Sequence, residues 1–201
     1  MKKFNLSISK TIILLFLSIK PLYSAEMTDP IKVDWSFKGL TGTFDRASLQ
    51  RGFQVYKEVC SSCHSMQYLS YRNLGESGGP EFTEAEVKAI AASFEVTDGP
   101  DSQGEMFTRP GRPSDMFVSP HPNKEAAAAA NGGAYPPDMS VLVKARKGGA
   151  NYIYSVLVGY EDPPPGVTLD QGVYYNKYMI GNKIKMPNNL EDGLIEYADG
   201  T

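Results

Sequence analysis

The chain has few residues able to hold a soft ligand. Its 201 residues include only two cysteines, two histidines and one tryptophan. Two cysteines exclude a scaffold stapled by several disulfides. A four-ligand zinc site would need both cysteines and both histidines. Basic charge is not in surplus either: 20 Lys and Arg stand against 23 Asp and Glu, a formal net charge of -3. A nucleic-acid partner therefore finds no electrostatic footprint. Beyond the first two dozen residues, no apolar run is long enough to span a bilayer core of about 30 Å. Internal repeats and a phosphate-cradling glycine loop are missing too. Glycine and proline are plentiful, at 19 and 14. That composition predicts many loops within one domain plus extras.

Residues 1–25 read as a secretory signal. Lys2 and Lys3 precede a short apolar run from Thr11 to Ile19, and Pro21 to Ala25 offers small residues for cleavage. The run is too short to serve as an anchor before Lys20 interrupts it. The segment holds four lysines and no acid, so its removal leaves 26–201 clearly acidic. An acidic exported domain suits a basic partner.

Both cysteines fall in one pentapeptide, Cys60-Ser61-Ser62-Cys63-His64. C-x-x-C-H reads as an attachment site for c-type haem. Each thiol can add across one porphyrin vinyl, and two intervening residues set the sulfurs far enough apart to reach both. His64 then lies under the iron as proximal ligand. Competing readings are a structural disulfide, a thioredoxin-like redox pair and half of a zinc site. None of the disulfide readings requires a His directly after Cys63, and the Gly-Pro common between redox cysteines is missing.

The rest of the chain reads as mainly α, with long proline-rich loops and insertions. Pro30 to Phe44 reads as an extended arm. Asp45 is an N-cap for a helix over 46–59, where Leu49, Gly52, Phe53, Tyr56 and Val59 recur at helical spacing. Gly52 beside Phe53 would let another helix cross closely. Met66 to Leu74 predicts a short helix, and Thr83-Glu84-Ala85-Glu86 a capping box ahead of Val87, Ile90 and Phe94. Residues 95–123 read as acidic, proline-rich loop. A short helix is expected over Ala126–Ala130, another from Pro136-Pro137-Asp138 through Arg146, and a third over Tyr152–Val158 capped by Asn151. Val173 to Tyr178 reads as extended.

An electron-transfer haem usually closes its sixth position with a second side chain. Met27, Met66, Met106, Met116, Met139, Met179, Met186 and His121 are available. Met66 is too close to His64 to reach the opposite haem face, and Met139 falls in a predicted helix. His121, in Pro120-His121-Pro122, reads as a surface loop position. Met186 is favoured, because Pro187 disfavours helix and presents it on an extended loop. Met179 ranks second and His121 third. An open sixth position would instead mean a haem enzyme or a ligand sensor.

The ordered blocks resemble the cytochrome c1 family, the haem subunit of quinol–cytochrome c reductase (the cytochrome bc1 complex). They are Arg51-Gly52-Phe53-Gln54-Val55-Tyr56, Met66-Gln67-Tyr68-Leu69-Ser70-Tyr71-Arg72 and Gly104-Glu105-Met106-Phe107-Thr108-Arg109-Pro110-Gly111. They continue with Ala134-Tyr135-Pro136-Pro137-Asp138-Met139-Ser140, Lys144-Ala145-Arg146-Lys147-Gly148-Gly149, Gly159-Tyr160 and Ile184-Lys185-Met186-Pro187. The resemblance implies a c-type cytochrome fold carrying one covalent haem c. It matches Cys60 and Cys63 to the thioether cysteines, His64 to the proximal ligand, Met186 to the distal ligand, and Arg146 to an arginine near the haem propionates. It implies electron transfer from a Rieske iron–sulfur protein to a cytochrome c, beside cytochrome b, at the periplasmic face of a bacterial inner membrane. The subunit performs no bond chemistry itself. Family members continue past the distal Met with a further helix and a transmembrane anchor, whereas only fifteen residues follow Met186 here. On that ground the sequence reads as a fragment lacking both. The rival within the haem class is a free periplasmic cytochrome c, which the long insert and the ordered blocks disfavour.

Overall fold

The computed structural model describes residues 28–197 and 200. The signal segment and Met27 lie outside the described residues. Four α-helices dominate: α1 (Arg46–Glu58), α2 (Glu84–Ala92), α3 (Lys124–Ala130) and α4 (Gly149–Val158). Two small antiparallel pairs accompany them, β1 (Glu95–Asp98) with β2 (Phe107–Pro110), and β3 (Tyr174–Tyr175) with β4 (Lys183–Ile184). No helix among the described residues is long and apolar enough to cross a membrane.

The helix starts follow local chemistry. Asp45 accepts a hydrogen bond from Ser48 N–H at 2.7 Å and caps α1. Thr83 and Glu86 cap α2 reciprocally. Nothing among the described residues lies within 4 Å of a Cβ built at Gly52, so the expected helix crossing is not made there. The helix expected from Met66 is instead a 3₁₀ turn at Tyr71–Gly75, because Tyr71 and Arg72 give their N–H groups to Asp115 and Pro113 carbonyls. Asn151 does not cap α4. The helix starts earlier, after Gly148 at φ 92°, a backbone shape that favours glycine. The Asn151 Oδ1 instead accepts from the Trp35 indole N–H at 2.7 Å and from Val33 N–H at 3.3 Å. Residues 30–35 are thereby laced along α4, with Ile31 N–H also donating to Ser155 Oγ at 2.8 Å.

Buried apolar side chains form two separate clusters. The first is Tyr56, Tyr71, Leu74, Val87, Ala91 and Phe117, joining α1 to α2, with Cys60, Met66 and Met139 packed on it. Its rings stack closely, Tyr71 lying 4.7 Å from Phe117. The second is Val156, Tyr178 and Ile184, with Met179 and Met186 against it. Fully buried Asn176 stitches the second cluster, donating to Val156 O at 2.7 Å and accepting from Tyr178 N–H at 3.1 Å. Gly159 is required there, since an added Cβ would stand 2.5 Å from the Tyr178 ring and 2.6 Å from Ser155 O.

The region 95–123 is not all loop. The β1–β2 hairpin interrupts it, and one ion-pair network organises it. Arg109 donates to Asp98 at 2.5 Å and to Asp115 at 2.7 and 3.0 Å. The Arg109 and Asp115 side chains are only 14% and 16% exposed, so this is a structural pair, not a solvated one. Asp101 is also used locally, accepting from Gln103 and Glu105 N–H. Asp98, Asp101 and Asp115 are thus already engaged within the domain.

The Arg109 hydrogen bond, against the opposing cost of burial, holds the Asp115 carboxyl down at about 2 against an ordinary 3.8. A depressed carboxyl stabilises the fold above its ordinary value and loses that contribution as pH falls through about 2. We expect D115N to melt below the parent at neutral pH, with the gap closing towards pH 2. Thermal melts across that range test this; a gap independent of pH would contradict it.

Candidate functional site

The Cys60–Ser62 segment forms one 3₁₀ turn directly after α1. Cys63 and His64 N–H groups both close on the Cys60 carbonyl, at 3.1 and 2.8 Å. This winding collects two thiols and an imidazole within five residues. Both thiols are unbridged and half-buried. Burial, and then the neighbouring Cys63, pushes the Cys60 thiol above its ordinary value. Among the described residues, no three His, Cys, Asp or Glu side chains gather as a metal set, so the zinc reading lacks its ligands.

The imidazole is held from outside the motif. His64 Nδ1 lies 2.8 Å from the Pro137 carbonyl oxygen. A carbonyl only accepts, so Nδ1 carries the proton and Nε2 keeps its lone pair. That is the tautomer a metal-ligating histidine needs, with an outer partner fixing its orientation.

The Pro137 carbonyl sits in a segment that runs along residues 64–68. Asp138 Oδ2 accepts from Ser65 Oγ at 2.7 Å and from Gln67 N–H at 2.9 Å. Its Oδ1 accepts from Ser140 N–H at 2.9 Å. Met139 N–H donates to Ser65 O at 2.8 Å, and Tyr68 N–H to Ser140 Oγ at 3.1 Å. These contacts explain why no helix forms over 136–146. Polar groups that would serve a helical ladder are committed to the haem-motif loop, and only turns remain. Burial of Asp138 opposes its ionisation, but the hydrogen bonds from Ser140, Gln67 and Ser65 outweigh it and hold the carboxyl below its ordinary value.

The structure sorts the sulfur candidates. Met106 and Met116 are exposed, and Met66 and Met139 pack on the first cluster. Met179 Sδ already accepts from the Tyr152 hydroxyl at 3.4 Å. Met186 is half-buried against the second cluster, and its carbonyl accepts from Tyr160 Oη at 2.9 Å. Burial raises the Tyr160 hydroxyl to about 12, so it remains a donor. Cys60, Cys63 and His64 are therefore together on one loop, while Met186 stands on a different packing unit. Arg146 is exposed, its guanidinium 3.5 Å from the Ala145 carbonyl. His121 differs from its expected role as a surface position: its Nε2 is buried. Sequence reasoning missed Asp138 and the hydroxyl of Tyr160, which no local spacing marks out.

These features fit a covalently bound haem. Two free thiols lie at the spacing that two vinyls require, and the imidazole already has its outer hydrogen bond. A sequence model of the Cytochrome C1 family matches residues 35–201. The chain belongs to the cytochrome c1 family. Cytochrome c1 proteins carry a covalently bound c-type haem. Similar proteins include Cytochrome c1-2, heme protein, mitochondrial, of Solanum tuberosum. It is 54% identical over 83% of this chain and 63% of its own length. Cytochrome c1 of Rhodospirillum rubrum is 50% identical over 85% of this chain and 67% of its own. Cytochrome b/c1 of Bradyrhizobium diazoefficiens is 50% identical over 83% of this chain and 27% of its own. The chain thus spans less than two thirds of the Solanum and Bradyrhizobium proteins. Its mainly helical architecture with little strand suits the c-type cytochrome fold.

Asp138 gives this site a measurable support. We expect D138N to lose roughly 1–3 kcal/mol, because an amide offers one acceptor where the carboxylate serves three donors. Chemical denaturation of both proteins at neutral pH checks this. The difference should shrink below the ordinary carboxylate range, since the depressed group contributes stability only above it.

Proposed function

We propose that this chain is the haem-bearing electron-transfer subunit of a quinol–cytochrome c reductase. It takes an electron from a Rieske iron–sulfur protein and passes it to a cytochrome c. One observation carries the reading: an imidazole fixed through Nδ1 by the Pro137 carbonyl, next to two unbridged thiols at haem-attachment spacing. When bound, the haem supplies one-electron exchange between ferric and ferrous iron.

The chain's own residues hold and orient the group. Cys60 and Cys63 provide the sulfurs for two thioether bonds. His64 Nε2 would hold the iron, and the hydrogen bond from Nδ1 to Pro137 would restrain ring rotation and raise the basicity of the ligand. Met186 supplies a thioether from the second cluster, held at its backbone by Tyr160. With Cys60 packed on the first cluster and Met186 on the second, the cofactor would join the two apolar units. No residue here needs to act as nucleophile, acid or base.

Cytochrome b is the proposed membrane neighbour. A relative bearing the name Cytochrome b/c1, and another named a Cytochrome b-c1 complex subunit in Candida albicans, support it. The lysine-led start supports export to the periplasmic side of the membrane. A basic cytochrome c suits the acidic net charge.

Maturation with a periplasmic haem-attachment system should give a coloured protein whose haem survives acid–acetone extraction. The double variant C60A/C63A should release its haem under that treatment. In M186A the far-red absorption band of methionine-ligated ferric haem should vanish, and the midpoint potential should fall. Colourless parent protein would sink the proposal. An intact far-red band in M186A would move distal ligation to another side chain.

A further inference from the structure

Among the described residues, one buried side-chain polar atom lacks a hydrogen-bond partner, Nε2 of His121. Buried polar atoms are nearly always paired, so an orphan calls for an explanation. Pro120 and Pro122 flank this residue, and each ring locks a backbone angle. The approach to this segment is fixed as well. Phe117 N–H donates to Leu69 O at 2.9 Å, and Val118 N–H to Tyr71 Oη at 3.4 Å. The chain leading to the histidine is thus tied to the segment that leaves the haem motif.

His121 lines a cleft of about 290 Å³. Cys63 and Ser65, on either side of His64, form another part of its wall, and Lys124, Tyr135 and Pro136 also line it. His121 therefore shares its cleft with a residue assigned to haem attachment, and its unpartnered nitrogen is buried beside that wall. A haem c carries three kinds of substituent at its edge: four methyls, the former vinyls, taken up by sulfur, and two propionates. Only the propionates accept hydrogen bonds. An imidazole N–H fits a carboxylate, and pairing it there removes the anomaly of an unpartnered buried nitrogen.

We propose that His121 binds the haem by donating its Nε2 proton to a propionate carboxylate. The inference rests on the haem reading above. His121 is a haem-binding and potential-setting residue, not an iron ligand. A hydrogen bond that neutralises part of a propionate's negative charge disfavours the ferric state, so it raises the midpoint potential.

The test compares the haem-loaded parent with H121Q, H121F and H121A. Readouts are redox titration, the far-red ligand band and the propionate bending mode in resonance Raman spectra. H121F and H121A should shift the Raman mode and lower the potential. H121Q, which keeps a donor, should stay near the parent in both. The far-red band should persist in all four proteins. H121A guards against a phenylalanine too large for the cleft. An unmoved potential and Raman mode in H121A would overturn the proposal while leaving the haem reading intact. Loss of the far-red band in H121A would overturn it differently, by making His121 an axial ligand. A parent without covalent haem would remove the underlying reading itself.

Discussion

The site depends on one lacing of backbone to backbone. Residues 136–140 lie along residues 64–68, and the Asp138 carboxylate is the knot. Without it, the Pro137 carbonyl has no reason to stay 2.8 Å from His64. A five-residue motif can bring sulfurs and imidazole close together, but it cannot choose a tautomer or stop a ring from turning. The chain assigns that task to a stretch more than seventy residues away. Two adjacent prolines suit it, because they stiffen the approach and leave a carbonyl free to accept.

The same principle explains the size and division of the core. One cluster gathers around α1 and α2, the other around α4 and the β3–β4 pair. Around them the chain relies on polar stitching: Asn151 to the N-terminal arm, Asn176 to Val156, and Arg109 to two carboxylates. Such contacts specify geometry well, yet each contributes little net stability. A chain with this many glycines and prolines cannot build a large continuous apolar interior. A covalent cofactor that touches both units would supply much of what its own side chains do not.

How legible this was in the sequence varied with the kind of signal. Contiguous chemistry could be read directly, as in the haem motif, the Asp45 cap and the Thr83 capping box. The helix expected from Pro136 failed because its start signals are real but its polar groups are claimed by residues 65–68. Asp138 looks like a first-turn acid in the sequence and behaves as a long-range acceptor. Asn151 misled in the same way: a good capping residue whose oxygen is taken by Trp35. The β1–β2 hairpin was hidden by its prolines, although Asp98-Gly99-Pro100 between Val96-Thr97 and Phe107-Thr108 carried a turn signal. Long-range acceptance leaves no spacing to count, so neither Asp138 nor the buried nitrogen of His121 could be found by pattern.

The docking of the arm on α4 has an optical consequence. The only tryptophan in the chain stands at that joint, its indole bonded to Asn151 and its ring edge-on to Tyr154 at 5.9 Å. Intrinsic tryptophan fluorescence therefore has a single emitter, placed where the N-terminal arm meets the second packing unit. Detachment of the arm would change that emission whether or not the aromatic stack around Tyr71 loosens. Local fraying and global unfolding could thus be followed as separate events in one cuvette, without any label.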